Sequence, residues 1–155
     1  MKLVIVRALG AFLLALCLFP VNAGDLVVTD PWIRSAPPNA PALGAFMVLE
    51  NHSAAEVSVV AAHTSLAVGR VELHRTLMAD GVMKMVPQKF IPVPAHSATV
   101  LKPGSWHIML IGPKKVPVMG EVVQLTLVLD NGTKQVVSAT VRQGEKMMGE
   151  HAHDE

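Results

Sequence analysis

The chain predicts an all-β fold, a single-domain Greek-key β-sandwich, on three observations. Its apolar residues come in short runs rich in Val and Leu, these runs are broken by Pro and Gly, and no stretch repeats at the helical period over helix length. The clearest element is Val122 to Arg142. Val123, Leu125, Leu127 and Leu129 alternate with Gln124, Thr126 and Val128, Asp130-Asn131-Gly132 makes a turn, and Val137, Ala139 and Val141 continue at period two. That is a β-hairpin.

The other elements follow in chain order. Strand-like runs are expected at Leu26 to Thr29, Ala45 to Glu50, Val57 to Ala62, Val71 to Leu77, Val82 to Pro87, Ala98 to Leu101 and Trp106 to Ile111. Seven or more strands at this spacing suggest two packed sheets with Greek-key links. Ser35 to Pro41 reads as a loop, because consecutive prolines exclude both helix and central strand. Trp32 and Trp106 read as core or rim aromatics.

The two ends stand apart from this pattern. Residues 1–23 read as a cleaved export signal: Lys2 and Arg7 form a basic start, Ala8 to Phe19 an apolar core, and Val21-Asn22-Ala23 a small-residue cleavage site. The apolar run is shorter than the roughly 20 residues needed to cross a bilayer. Cleavage after Ala23 leaves residues 24–143 as the sandwich domain and 144–155 as a mobile tail too polar to offset its ordering entropy. The only cysteine, Cys17, lies in the signal, so the mature domain is expected to carry no thiol and no disulfide. Leu14-Ala15-Leu16-Cys17 faintly resembles a bacterial lipoprotein site, but Leu16 is large where a small residue is expected.

Charge excludes some partners. The 13 basic and 12 acidic residues nearly balance, and loss of Lys2 and Arg7 moves the formal charge from +1 to −1. Neither nucleic acid nor an anionic membrane surface is implied, and no second membrane segment is present.

The chemistry lies in the placement of His and Met. The chain has 9 Met and 7 His but no Tyr. Val71 to Pro87 forms two β-like arms around Asp80-Gly81, and a tight turn there sets Ala79 opposite Val82, Met78 opposite Met83 and Thr76 opposite Met85. His74 then lies diagonally from Met85 on the same face, within reach of long side chains. Further on, His107 and Met109 are two apart and share a face, while Trp106, Ile108 and Leu110 point the other way.

An imidazole and a thioether on each of two segments suffice for a four-coordinate site at His74, Met85, His107 and Met109. Thioether sulfur is soft and uncharged, so two Met favour Cu(I) over zinc, calcium or magnesium. A blue-copper electron-transfer site would need a Cys ligand that the mature chain lacks. Each residue alone would be ordinary packing, since Met fills cores and His satisfies hydrogen bonds. The joint spacing is the informative feature.

That spacing, H-x10-M-x21-H-x-M, resembles the periplasmic copper chaperones called PCu(A)C. The match extends to Glu72-Leu73-His74, to Asp80-Gly81-Val82-Met83-Lys84-Met85, to Lys102-Pro103-Gly104, and to Trp32-Ile33-Arg34-Ser35-Ala36-Pro37-Pro38 with Gly44-Ala45-Phe46-Met47. The resemblance implies a cupredoxin-like sandwich, in the bacterial periplasm, that passes copper to the CuA centre of cytochrome c oxidase or to Sco-type assembly proteins. It implies a carrier and no enzyme.

Secondary positions remain. Met78 and Met83 would flank the site as an outer sulfur shell or transfer points. Met147, Met148, His151 and His153 in the tail form a further candidate site, with Cu(II) a candidate ion there. Met119 reads as an extra thioether or a plain loop residue, and His52, His63 and His96 as surface residues. The competing function is a secreted copper-dependent oxidoreductase on the same sandwich. One such class ligates copper with an N-terminal His, where this chain would begin at Gly24, and no nucleophile-elbow or distinctive carboxylate pair is present.

Overall fold

A computed structural model describes residues 25–144. Ten strands make up the domain: β1 (Leu26–Arg34), β2 (Ala42–Asn51), β3 (Val57–Thr64), β4 (Arg70–Ala79), β5 (Val82–Gln88), β6 (Ile91–Val93), β7 (Ser97–Leu101), β8 (Trp106–Ile111), β9 (Val122–Leu129) and β10 (Lys134–Arg142). There is no α-helix among the described residues.

The strands hydrogen-bond in the order β5-β4-β8-β7-β2-β1-β10-β9-β3-β6, with β8 also paired to β2. A parallel β1–β10 pair, Trp32 opposite Thr140 to Arg34 opposite Arg142, joins the half built on β2, β4 and β8 to the half built on β9 and β3. The inward faces of both halves meet in one apolar cluster. Leu43, Ala45, Met47 and Leu49 of β2 alternate into it, as do Ile108 and Leu110 of β8 and Leu125, Leu127 and Leu129 of β9. The period-two alternation of the sequence is therefore the inside–outside alternation of a sandwich.

Each expected run is a strand, but three details differ from expectation. β1 does not stop at Thr29; it crosses Asp30-Pro31 through a register shift, with Asp30 at φ 48°, and pairs again at Trp32. A bulge is one of the few places where a strand tolerates Pro, so the Asp-Pro pair that reads as a terminus is an interruption. β6 is a three-residue strand too short to give a periodic signal. β7 and β8 are two stretches along one partner, β7 lying antiparallel to Met47–Asn51 and β8 to Ala42–Ala45 of β2. Lys102 to Ser105 bulge out between them, held by Lys102 N–H to Trp106 O at 3.0 Å and Ser105 N–H to Lys102 O at 3.0 Å, with Gly104 at φ 79°.

The β4–β5 hairpin turns at Asp80 (φ 52°) and Gly81 (φ 75°). Two successive left-handed residues define a type I′ turn, whose twist matches that of the strands it joins. The register is the expected one: Ala79 opposite Val82, Met78 opposite Met83 and Thr76 opposite Met85. β5 is an edge strand, which is where Pro87 can sit without breaking a ladder.

Candidate metal centre

The site lies on the outer face of the sheet, opposite the core. On β4 the outward residues are Glu72, His74, Thr76 and Met78, because Leu73 points inward. β8 sets His107 directly opposite His74 and Met109 opposite Glu72. On the other flank β5 sets Pro87 opposite His74 and Met85 opposite Thr76. His74 is the centre of this grid, with His107 beside it and Met85 and Met109 on its two diagonals.

The imidazoles are close and buried although they face outward. Their ring centroids are 5.6 Å apart, with His74 8% and His107 2% exposed. The cover comes from the neighbouring strands. Phe46 of β2, itself buried, lies 6.3 Å from the His107 ring, and Trp32 of β1 stacks on Phe46 at 4.7 Å. Arg142 lies over the Trp32 ring, 4.8 Å from its centroid. Gly44, opposite Met109, makes room for Phe46, since a Cβ there would come within 2.8 Å of the ring.

Hydrogen bonds select one tautomer at each His. Glu72 Oε2 lies 2.8 Å from His74 Nε2, and a carboxylate only accepts, so Nε2 carries the proton and Nδ1 the lone pair. The carbonyl of Ser105 lies 3.0 Å from His107 Nδ1, so there Nδ1 donates and Nε2 keeps the lone pair. His74 Nδ1 and His107 Nε2 are both buried and have no hydrogen-bond partner. Such orphaned nitrogens cost free energy unless a ligand meets them, and a bond from the opposite ring nitrogen is the usual second support of a metal-bound His.

Electrostatics agree with a neutral ring at His107. Burial pushes His107 below the ordinary imidazole value of 6.5, opposed by the Ser105 carbonyl and reinforced by His74. The hydrogen bond from His74, and then that from Arg70 Nε at 2.6 Å, hold the Glu72 carboxyl below its ordinary range. The carboxylate thus stays charged to lower pH than an ordinary Glu, and the His107 ring stays neutral to lower pH than an ordinary imidazole.

The thioethers differ in burial. Met109 is half-buried beside the His pair, whereas Met85 is 62% exposed on the edge strand. Met78 and Met83 lie farther out on the same arm, both exposed. Among the described residues no group of three or more His, Cys, Asp and Glu could hold a metal, and the thioethers of Met85 and Met109 occupy the two diagonals of His74 on this face. Met119 is exposed in the loop before β9, where the flanking Gly120 N–H bonds to Val141 O of β10. His63 and His96 are exposed, and His52 pairs with Glu50 at 3.6 Å. The candidate tail residues Met147, Met148, His151 and His153 lie outside the described residues, as does the segment read as a signal.

Comparison with known proteins places the chain in a family. Residues 26–141 match the LpqE-like family model, "Putative lipoprotein LpqE-like". The chain is 31% identical over 122 residues to "Putative lipoprotein Lxx21020" of Leifsonia xyli subsp. xyli, covering 78% of this chain and 72% of that one. It is 36% identical over 75 residues to "Uncharacterized protein RP573" of Rickettsia prowazekii, covering 48% and 41%. Among solved structures, the copper-bound PCuAC domain from PmoF2 superposes with a TM-score of 0.65 at 19% identity, covering 78% of this chain and 95% of that one. Apo-DR1885 of Deinococcus radiodurans gives 0.61 at 27% identity, with 94% and 95% covered, and its CuI form gives 0.57 at 32%, with 79% and 83% covered. The chain belongs to the LpqE-like family, which is the PCuAC family, and its fold is the cupredoxin-like sandwich of those domains.

Proposed function

We propose that this protein is a copper carrier that holds one Cu(I) through His74, Met85, His107 and Met109 and hands it to a copper-requiring partner. The observation that carries this reading is the pair of buried imidazoles, each with one nitrogen tied by a hydrogen bond and the other left without a partner, with Met85 and Met109 on the diagonals of His74. Two neutral nitrogens and two neutral sulfurs match a soft monovalent ion. Membership of a family whose solved members include a copper-bound domain and a CuI form supports the same reading.

Four protein ligands leave no open position for a substrate, which favours transport over an oxidoreductase. Met85 is the natural point of release. It reaches the ion from an exposed edge strand, so a competing ligand can replace it while the His pair stays in place. The acceptor we propose is the CuA subunit of cytochrome c oxidase or a Sco-type assembly protein. The proposed setting is the bacterial periplasm, reached by removal of residues 1–23, and the lipoprotein naming of the family agrees with a place outside the cytoplasm. No helix among the described residues is long and apolar enough to cross a membrane.

The test is an anaerobic Cu(I) titration of the chain from Gly24 onward against a competing chelator. Wild type should bind one equivalent at the His pair. Met85→Leu with Met109→Leu keeps the volume but removes both sulfurs, and affinity should fall steeply. Unchanged affinity in that double variant would refute the ligand set, and copper-dependent turnover of an oxidisable substrate would refute the carrier reading.

A further inference from the structure

We propose that Met78, Met83 and Met85 form a second, weaker Cu(I) site on the outer arm of the β4–β5 hairpin, from which the ion reaches the His pair through the shared ligand Met85. The inference rests on the reading of His74, Met85, His107 and Met109 as a Cu(I) site and adds a route into it.

The register carries the argument. In a two-residue hairpin the residues flanking the turn, Ala79 and Val82, are the hydrogen-bonded pair, so Met78 and Met83 are a non-hydrogen-bonded pair. In such pairs the side chains stand closest, with Cα atoms about 4.5 Å apart. Met85 is two residues from Met83 on the same face, and Thr76 opposite it leads back to His74.

The side chains are sorted by face. The outer face of the arm carries Met78, Met83 and Met85 and continues into His74. The opposite face carries Leu77, Val82, Lys84 and Val86. An arm built only to present apolar surface would have no need to keep its thioethers on the face that leads to the imidazoles. These three residues are also among the most exposed large apolar residues described, at 68%, 57% and 62%. The three positions supply thioethers alone, so the set suits Cu(I) and not Cu(II) or zinc.

Transfer along this face exchanges one thioether for one imidazole at a time. The ion remains Cu(I) throughout, no electron is needed, and no proton leaves a Met. Capture at the arm is therefore insensitive to acid.

The test uses the full chain labelled with 13C at the Met methyls, titrated anaerobically with Cu(I). The first equivalent should shift the Met85 and Met109 methyls, and a second, weaker equivalent, held by Met78 and Met83 while Met85 serves the inner ion, should shift those two methyls and persist at mildly acidic pH. Met78→Leu with Met83→Leu should retain the affinity for the first equivalent, lose the second at the arm, and release Cu(I) to a chelator several-fold more slowly. Still Met78 and Met83 methyls, a second equivalent that moves only Met147 and Met148, or unchanged release in the double variant would each overturn the proposal. Failure of the inner site is read separately, as absent shifts at Met109 and at the His74 and His107 rings.

Discussion

Phe46 offers the sharpest test of how the fold shapes the chemistry. It is only 5% exposed, yet it sits on the outer face of β2 between Trp32 and His107. Phe46→Ala removes most of a buried aromatic ring, a transfer loss of about 1.5–3 kcal/mol. The gap left on an outer face opens to water, so the extra cost of a sealed cavity does not add to it. For a domain of this size that loss lowers Tm by roughly 5–15 °C. The second consequence concerns protons. Burial is the largest cause of the lowered His107 pKa, so water admitted beside the ring should return that value toward 6.5. Protons would then displace Cu(I) from a higher pH downward than in wild type. Thermal unfolding by circular dichroism reads the first effect, and NMR titration of the His107 ring with Cu(I) competition across pH reads the second. A lower Tm with an unmoved His107 titration would refute the claim that Phe46 keeps that imidazole dry.

Other consequences can be checked alongside. Glu72→Ala removes the acceptor that orients His74 and should weaken Cu(I) binding by about tenfold to hundredfold, nearer the lower figure because the carboxylate is partly solvated, as read by chelator competition. Apo-protein stability should fall on acidification in two stages. The lowered His107 value means that the unfolded chain takes up protons first, so stability is lost as pH drops below about 6.5 toward the folded value. The lowered Glu72 value removes a further contribution below about 4.5, as pH falls toward that group's folded value. Urea midpoints measured across pH should show both stages in wild type and lack the second in Glu72→Gln. Asn51 is buried and ties loops together, donating to Ala55 O at 2.8 Å and Val93 O at 2.9 Å while accepting from Ser53. Asn51→Ala should cost about 1–3 kcal/mol in urea unfolding by orphaning those carbonyls, with Cu(I) affinity unchanged.

Much of this was legible in the chain because its signals are local. Asp80-Gly81 specifies a two-residue turn, and that turn dictates every pairing along β4 and β5. His107 and Met109 share a face by parity alone. The meeting of His74 with His107 depends instead on β4 pairing with β8 across more than thirty residues, and only the motif spacing hinted at it. The cover over the site was not legible. Gly44-Ala45-Phe46-Met47 reads as one apolar run, and nothing local says that Phe46 is buried on the face opposite to Ala45 and Met47. Trp32 reads as a core or rim aromatic, but its place on Phe46 was hidden for a related reason, since Asp30-Pro31 looks like the end of a strand. The second supports of the two rings were visible only as spacing. Glu72 is two before His74 and Ser105 two before His107, but one acts through a side chain and the other through a carbonyl placed by a bulge.

That carbonyl ties the two halves of the site to one atom. Ser105 O accepts from the His107 ring and also from the backbone N–H of Thr76, at 3.0 Å each. The bulge that carries it therefore clamps the hairpin bearing His74 and Met85 to the strand bearing His107 and Met109. The clamp is made of the chain's own hydrogen bonds. On the carrier function proposed above, loading and unloading an ion would leave these bonds in place, and the cargo could be given up without the protein coming apart.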